Sequence, residues 1–74
     1  MYKLRIRDLR EDTDLSQQKL AELLQVHQTT YSDYELERSN LPIAALHKLA
    51  DFYGVSTDYL LGRTNVKEPY PRKI

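Results

Sequence analysis

The side chains best suited to directional chemistry in this sequence sit together in the segment LSQQKLAELLQVHQTTYSDYE, Leu15 to Glu35. At helical spacing Gln28, Thr29, Ser32 and Asp33 fall outward while Tyr31 and Tyr34 fall inward. A carboxamide, hydroxyls and a carboxylate so arranged offer hydrogen-bond donors and acceptors on a surface without apolar bulk. Such a set recognises a partner; it does not make or break bonds. A helix carrying it fits a DNA major groove about 12 Å wide, where Gln pairs in bidentate fashion with adenine, a Thr methyl meets the thymine methyl and Asp accepts from cytosine N4. The same residues also suit an ordinary solvated helix face, so their surroundings must decide.

Other chemistries find little support. Ser, His and Asp are present, but there is no strained nucleophile turn, no Gly-rich phosphate loop and no second domain to close over a pocket, so an enzyme is not expected. His27 and His47 stand 20 positions apart without Cys or a convergent carboxylate cluster, so neither a metal site nor a cofactor is expected. The six tyrosines read as core and rim packing, with Tyr31, Tyr34, Tyr53 and Tyr59 inward and Tyr2 and Tyr70 unassigned.

The elements that position these residues must be small. The chain has 74 residues, 11 Lys plus Arg, 11 Asp plus Glu and no Cys or Trp. One domain of this size hides only about 60% of its unfolded surface and has no disulfide to help, so it must be regular and short-looped. Leu, Ile, Val and Phe number 19, about a quarter of the chain, enough to escape the composition of a disordered one. The longest apolar run is Ile43 to Leu46, far short of the roughly 20 residues a membrane helix needs, and MYKLRIRDLRED lacks a signal peptide's apolar stretch. A soluble, cytoplasmic chain with no membrane role and no evident small-molecule substrate is therefore expected. Its net charge of zero disfavours a uniformly basic coat and allows a local patch.

Apolar residues recur at three- and four-residue steps, which predicts an all-α fold of five helices. The first spans Lys3 to Asp12, with Ile6, Leu9 and Thr13 on its inner face. Ser16 caps the second, Ser16 to Leu24, and Gln25, Val26 and His27 form a tight corner before the third, Gln28 to Leu36. The fourth starts with Pro42 as its first residue, carries the stripe Ile43, Leu46, Leu49, Ala50 and Tyr53, and ends at Gly54. Ser56 caps the last, Thr57 to Leu61, and Gly62 stops it. Residues 1–64 form the domain, and 65–74 read as an extended or mobile tail.

A capped amphipathic helix, a three-residue corner and a second helix with a small polar outer face make a helix-turn-helix outline. With Leu15-Ser16-Gln17, Leu20-Ala21, Val26, Tyr34-Glu35 and the stretch KLADFYGVSTDYLLGRT, the chain resembles the Cro and phage-repressor family, also called the xenobiotic-response-element family, over Arg5 to Thr64. The resemblance implies a lambda-repressor-like domain that binds a double-stranded DNA operator through its third helix, commonly as a homodimer, and most often represses transcription. It implies that Gln17 touches a phosphate and braces Gln28. It also implies an ion pair between Arg10 and Glu35. The interface expected from residues and resemblance together is Gln17, His27, Gln28, Thr29, Ser32, Asp33, Arg38, Ser39 and Asn40. A protein-interaction module on the same fold is the other reading, favoured by the single cation Lys19 against Glu22, Asp33 and Glu35 between Leu15 and Leu36.

The chain departs from the family at three places. Gln25 and Glu37 stand where the family usually has Gly, so those positions either hold φ > 0 at a cost or change the loop geometry. His27 replaces the usual Ser or Thr, which predicts a weaker cap on the third helix.

Overall fold

The computed structural model describes residues 4–68, which form the helices α1 (Ile6–Asp12), α2 (Gln17–Leu24), α3 (Gln28–Glu35), α4 (Ile43–Tyr53) and α5 (Thr57–Leu60). No strand occurs among the described residues. Two helices begin on a side-chain cap: Ser16 Oγ accepts from Lys19 N at 3.1 Å and Ser56 Oγ from Tyr59 N at 3.0 Å. The helices α3 and α4 begin on His27 and Pro42, both extended and neither giving a side-chain cap.

All five helices end alike. The first or second residue after each takes a left-handed conformation, Asp14, Gln25, Glu37, Gly54 and Gly62, with φ between 57° and 76°. Around each runs the same pair of bonds, exemplified by Val26 N donating to Ala21 O at 3.0 Å and Gln25 N to Glu22 O at 3.1 Å. This is the Schellman termination, which satisfies the carbonyls a helix leaves open at its end. Repeating it keeps every connection short, which a chain this small requires.

Each helix contributes to one core of Ile6, Leu20, Ala21, Leu24, Tyr31, Tyr34, Leu49, Ala50, Val55 and Leu60. The small Ala21 of α2 is buried in this core, and Val26 in the corner between α2 and α3 packs against the same cluster. Tyr31 and Tyr34 meet edge to face with ring centres 6.5 Å apart. That geometry adds about 0.5–1.5 kcal/mol beyond area burial.

The structure corrects several sequence expectations. The first helix begins at Ile6, and Lys3 lies outside the described residues, as do Tyr2 and Tyr70. Thr13 is exposed, its hydroxyl donating to Leu9 O at 2.8 Å where the helix runs out. Pro42 precedes α4 as its N-cap, because its ψ of 151° is extended. Ile43 is 73% exposed and leaves the apolar stripe, since the first turn of α4 projects beyond the core. Leu36 and Leu61 lie just past the ends of α3 and α5.

Beyond α5 the chain runs back along that helix. Ser56 N donates to Lys67 O at 2.7 Å and Ser56 Oγ to Val66 O at 3.2 Å. Arg5 donates to Asn65 Oδ1 at 2.8 Å while its guanidinium lies 4.3 Å from the centre of the Tyr59 ring.

Candidate nucleic-acid interface

The α2–α3 corner is closed by main-chain bonds, and the buried side chains of Leu20, Ala21, Leu24, Tyr31 and Tyr34 belong to one core that holds the two helices together. With Tyr31 and Tyr34 committed to the core, α3 turns Gln28 and Thr29 into solvent and leaves Ser32 half-buried beside them. Gln17, at the start of α2, closes the group. Gln17, Gln28, Thr29 and Ser32 line one shallow, open hollow of about 300 Å³. Polar groups in a shallow concavity on a protruding helix can meet the edge of a flat partner and exchange hydrogen bonds with it.

The remaining expected residues are placed differently. His27 is exposed at the N-terminus of α3, next to the hollow. Asp33 is half-buried, and its main-chain carbonyl accepts from Arg38 N at 2.9 Å and Ser39 N at 3.4 Å, which fixes the loop that follows. Arg38, Ser39 and Asn40 are all exposed in that loop. Ser39 and Asn40 line a separate hollow with Leu4, Glu37, Leu41 and Leu61. The nine residues therefore divide between the α2–α3 face and the α3–α4 loop.

Beneath the face lies an ion pair. Arg10 of α1 donates from Nε to Glu35 Oε2 at 2.6 Å and from Nη2 to Oε1 at 3.1 Å, with the Glu35 side chain only 2% exposed. Its third arm donates to Leu15 O at 3.0 Å, tying the α1–α2 turn to the same point. Burial pushes the Glu35 carboxyl up, but hydrogen bonding from Arg10 and Gln17 outweighs it and holds the group below its ordinary value. The bond to Glu35 likewise raises Arg10 above its usual range. The Tyr31 hydroxyl is buried without a well-formed hydrogen bond, yet it approaches Glu35 closely enough to help stabilise the carboxylate. Burial pushes the Tyr31 phenol far up and that of Tyr53 to about 12, so both stay protonated.

Sequence reasoning missed one connection. Gln17 Nε2 donates to Glu35 Oε1 at 3.1 Å, linking the edge of the outer face to the interior ion pair. Gln17 and Glu35 are 18 positions apart, and no local periodicity signals a contact between them.

Comparison with known proteins places this geometry. A family model described as helix-turn-helix matches residues 6–60. The chain is 39% identical over 69 residues to an uncharacterized HTH-type transcriptional regulator, YobD, of Bacillus subtilis, covering 93% of this chain and 62% of the relative. It is 37% identical over 76 residues to the cryptic phage CTXphi transcriptional repressor RstR of Vibrio cholerae, covering 100% of this chain and 68% of the relative. It is 36% identical over 70 residues to the HTH-type transcriptional regulator AnsR of Bacillus subtilis, covering 95% of this chain and 60% of the relative. The chain thus spans roughly three-fifths to two-thirds of the length of these relatives. No solved structure matches the chain.

Proposed function

The chain belongs to the Cro and phage-repressor family of helix-turn-helix proteins, and on that premise we propose that it is a sequence-specific double-stranded DNA-binding regulator of transcription. The single observation that carries this reading is the outer face of α3, where Gln28 and Thr29 are exposed and share one open hollow with Ser32 and Gln17. A helix about 10–12 Å across its side chains matches the width of the major groove. With α3 in that groove, Gln28, Thr29 and Ser32 read base edges. In this reading the exposed His27, Arg38, Ser39 and Asn40 contact the flanking backbone.

The electrostatics support the reading better than a count of charges does. Glu35 is withdrawn from the surface and neutralised by Arg10, which removes one of the three acids from the balance. Asp33, half-buried, reads a cytosine amino group or stays off the DNA. Attraction to the phosphates then comes from Lys19, Arg38, the N-termini of α2 and α3, and polar side chains.

The names of the relatives, transcriptional regulators and a repressor, support repression by occupying an operator. A homodimer on a two-fold site follows from the same family pattern, with half-sites about 34–36 Å apart. The role needs no bond-making chemistry and belongs in the compartment that holds the DNA, the cytoplasm. No helix among the described residues is long and apolar enough to cross a membrane.

The test is selection of bound duplexes from a random library, followed by affinity against salt and by sedimentation of the complex. A recurrent two-fold sequence, bound by two chains, with log affinity falling linearly in log salt is the expected result. If no duplex is enriched above background at low salt, the regulator reading fails and a protein partner takes its place.

A further inference from the structure

Ser56 is 4% exposed, and all of its polar groups are engaged. Its hydroxyl accepts from Tyr59 N at 3.0 Å and its carbonyl from Leu60 N at 3.2 Å, which are the bonds that begin α5. Its two donors point the other way. Ser56 N donates to Lys67 O at 2.7 Å and Ser56 Oγ to Val66 O at 3.2 Å, in a segment that the sequence reads as the start of a tail. An N-cap needs only to accept, so these two donations serve something besides the helix start. Parted from residues 66 and 67, they would be buried donors facing no acceptor, a costly arrangement.

A second anchor lies at the other end of the segment. Arg5, the N-cap of α1, donates from N to Leu60 O at 2.9 Å and from Nη2 to Asn65 Oδ1 at 2.8 Å. Its guanidinium lies 4.3 Å from the centre of the Tyr59 ring, and Lys67 Nζ lies 5.8 Å from the same centre. The helix so enclosed has only four residues, too few to hold a helical turn unaided.

We propose that residues 65–67 are a strap latched by Ser56, and that strap and α5 open and close as one unit, which fixes where the chain leaves the domain. Closed, the unit brings residue 68 out beside Ser56 at the start of α5, and not beyond the end of that helix. Opening withdraws Leu60, which is fully buried, and so uncovers part of the core. The α2–α3 corner keeps its own main-chain bonds throughout. The device is independent of whether α3 meets DNA.

The test combines native-state hydrogen exchange with distances between spin labels, on the full chain. The sequence has no Cys, so Glu22→Cys and Glu68→Cys, both at exposed positions, give unique labelling sites. Ser56→Thr keeps the acceptor and the donor. Ser56→Asp keeps the cap, but a carboxylate cannot donate to Val66 O.

In the unmutated chain the Ser56 amide should be protected and should exchange through the same opening as Leu60 and Leu61, ahead of Val26 and Tyr31. Ser56→Asp should speed all three about tenfold, leave Val26 and Tyr31 unchanged and broaden a narrow distribution of label distances. Ser56→Thr should alter neither reading. An unprotected Ser56 amide, or a broad distribution with Ser56 intact, overturns the latch. Acceleration by Ser56→Asp confined to the Ser56 amide overturns the joint unit, as does equal acceleration of every amide. Should Ser56→Asp not fold, the exchange pattern and the label distances with Ser56 intact decide together, and failure of either overturns the proposal.

Discussion

Arg10 on the first helix and Glu35, the last residue of the third, hold one another through two nearly parallel hydrogen bonds across 25 positions of sequence. The pair joins α1 to the base of the reading helix, with the Glu35 side chain almost fully shielded from water and that of Arg10 mostly so. Arg10→Ala strands the Glu35 charge in the interior and should cost about 3–5 kcal/mol of stability. Urea unfolding measures it, and a loss below about 1 kcal/mol, the usual worth of an exposed pair, would show that the ion pair is solvated.

The same pair sets a pH dependence. Hydrogen bonding holds the Glu35 carboxyl below its ordinary value, so as pH falls the unfolded chain takes up this proton first. Its contribution is thus complete above the unfolded value and is lost as pH drops through the folded one. We expect the urea midpoint of the unmutated chain to decline on acidification below about pH 4.5, with a shallower decline in Glu35→Gln. Parallel acid limbs in the two proteins would assign the effect to other carboxylates.

Helix termination offers a third test. Gly54 has φ of +67° and open space where a Cβ would stand, so Gly54→Ala is opposed by backbone conformation alone. The left-handed penalty of about 1–2 kcal/mol, offset by a gain of about 0.4–1 kcal/mol from the stiffer unfolded chain, predicts a net loss of about 0.5–1 kcal/mol. Gln25→Gly and Glu37→Gly reverse the exchange and should gain a similar amount each. Thermal melts of the three variants should therefore move in opposite directions.

His27 occupies the N-cap of α3 with φ of −69° and ψ of 151°, the backbone a capping residue needs, but without a capping side-chain bond. His27→Ser should stabilise the protein by about 0.5–2 kcal/mol. Guanidinium unfolding is the measurement. An unchanged midpoint would mean that the first turn of α3 finds its partners elsewhere.

On DNA, Gln28→Ala and Arg38→Ala should separate reading from attraction. Gln28→Ala should remove about 1–3 kcal/mol of discrimination at one base position. Arg38→Ala should weaken all sequences together and reduce the salt slope by about one unit. Competition titrations at two salt concentrations distinguish the patterns, and a Gln28→Ala protein with unaltered preference would remove that residue from the reading face.

Local features of the sequence were read correctly where they depend on short-range physics. Ser16 and Ser56 cap their helices as their hydroxyls allow, and Gly54 and Gly62 end theirs in the left-handed conformation. At Gln25 and Glu37 the family resemblance left open a positive φ or a changed loop, and the structure holds the positive φ, which neither residue type favours. Asp14, with φ of 57°, escaped notice because Asp sits as comfortably in a solvated helix end as in a left-handed turn.

The sequence by itself determined the all-α class, the order of the helices, the commitment of Tyr31 and Tyr34 to the interior and hence the polar outer face of α3. Those follow from the helical repeat and from burial, which act over a few residues at a time. Only the tertiary structure decided that Ile43 stands clear of the core, that Ser39 and Asn40 line a different hollow from Gln28, and that Gln17 is held by Glu35. These depend on how whole helices cross. A crossing angle is set by the sum of many side-chain contacts distant in sequence, and no short segment of the chain encodes it.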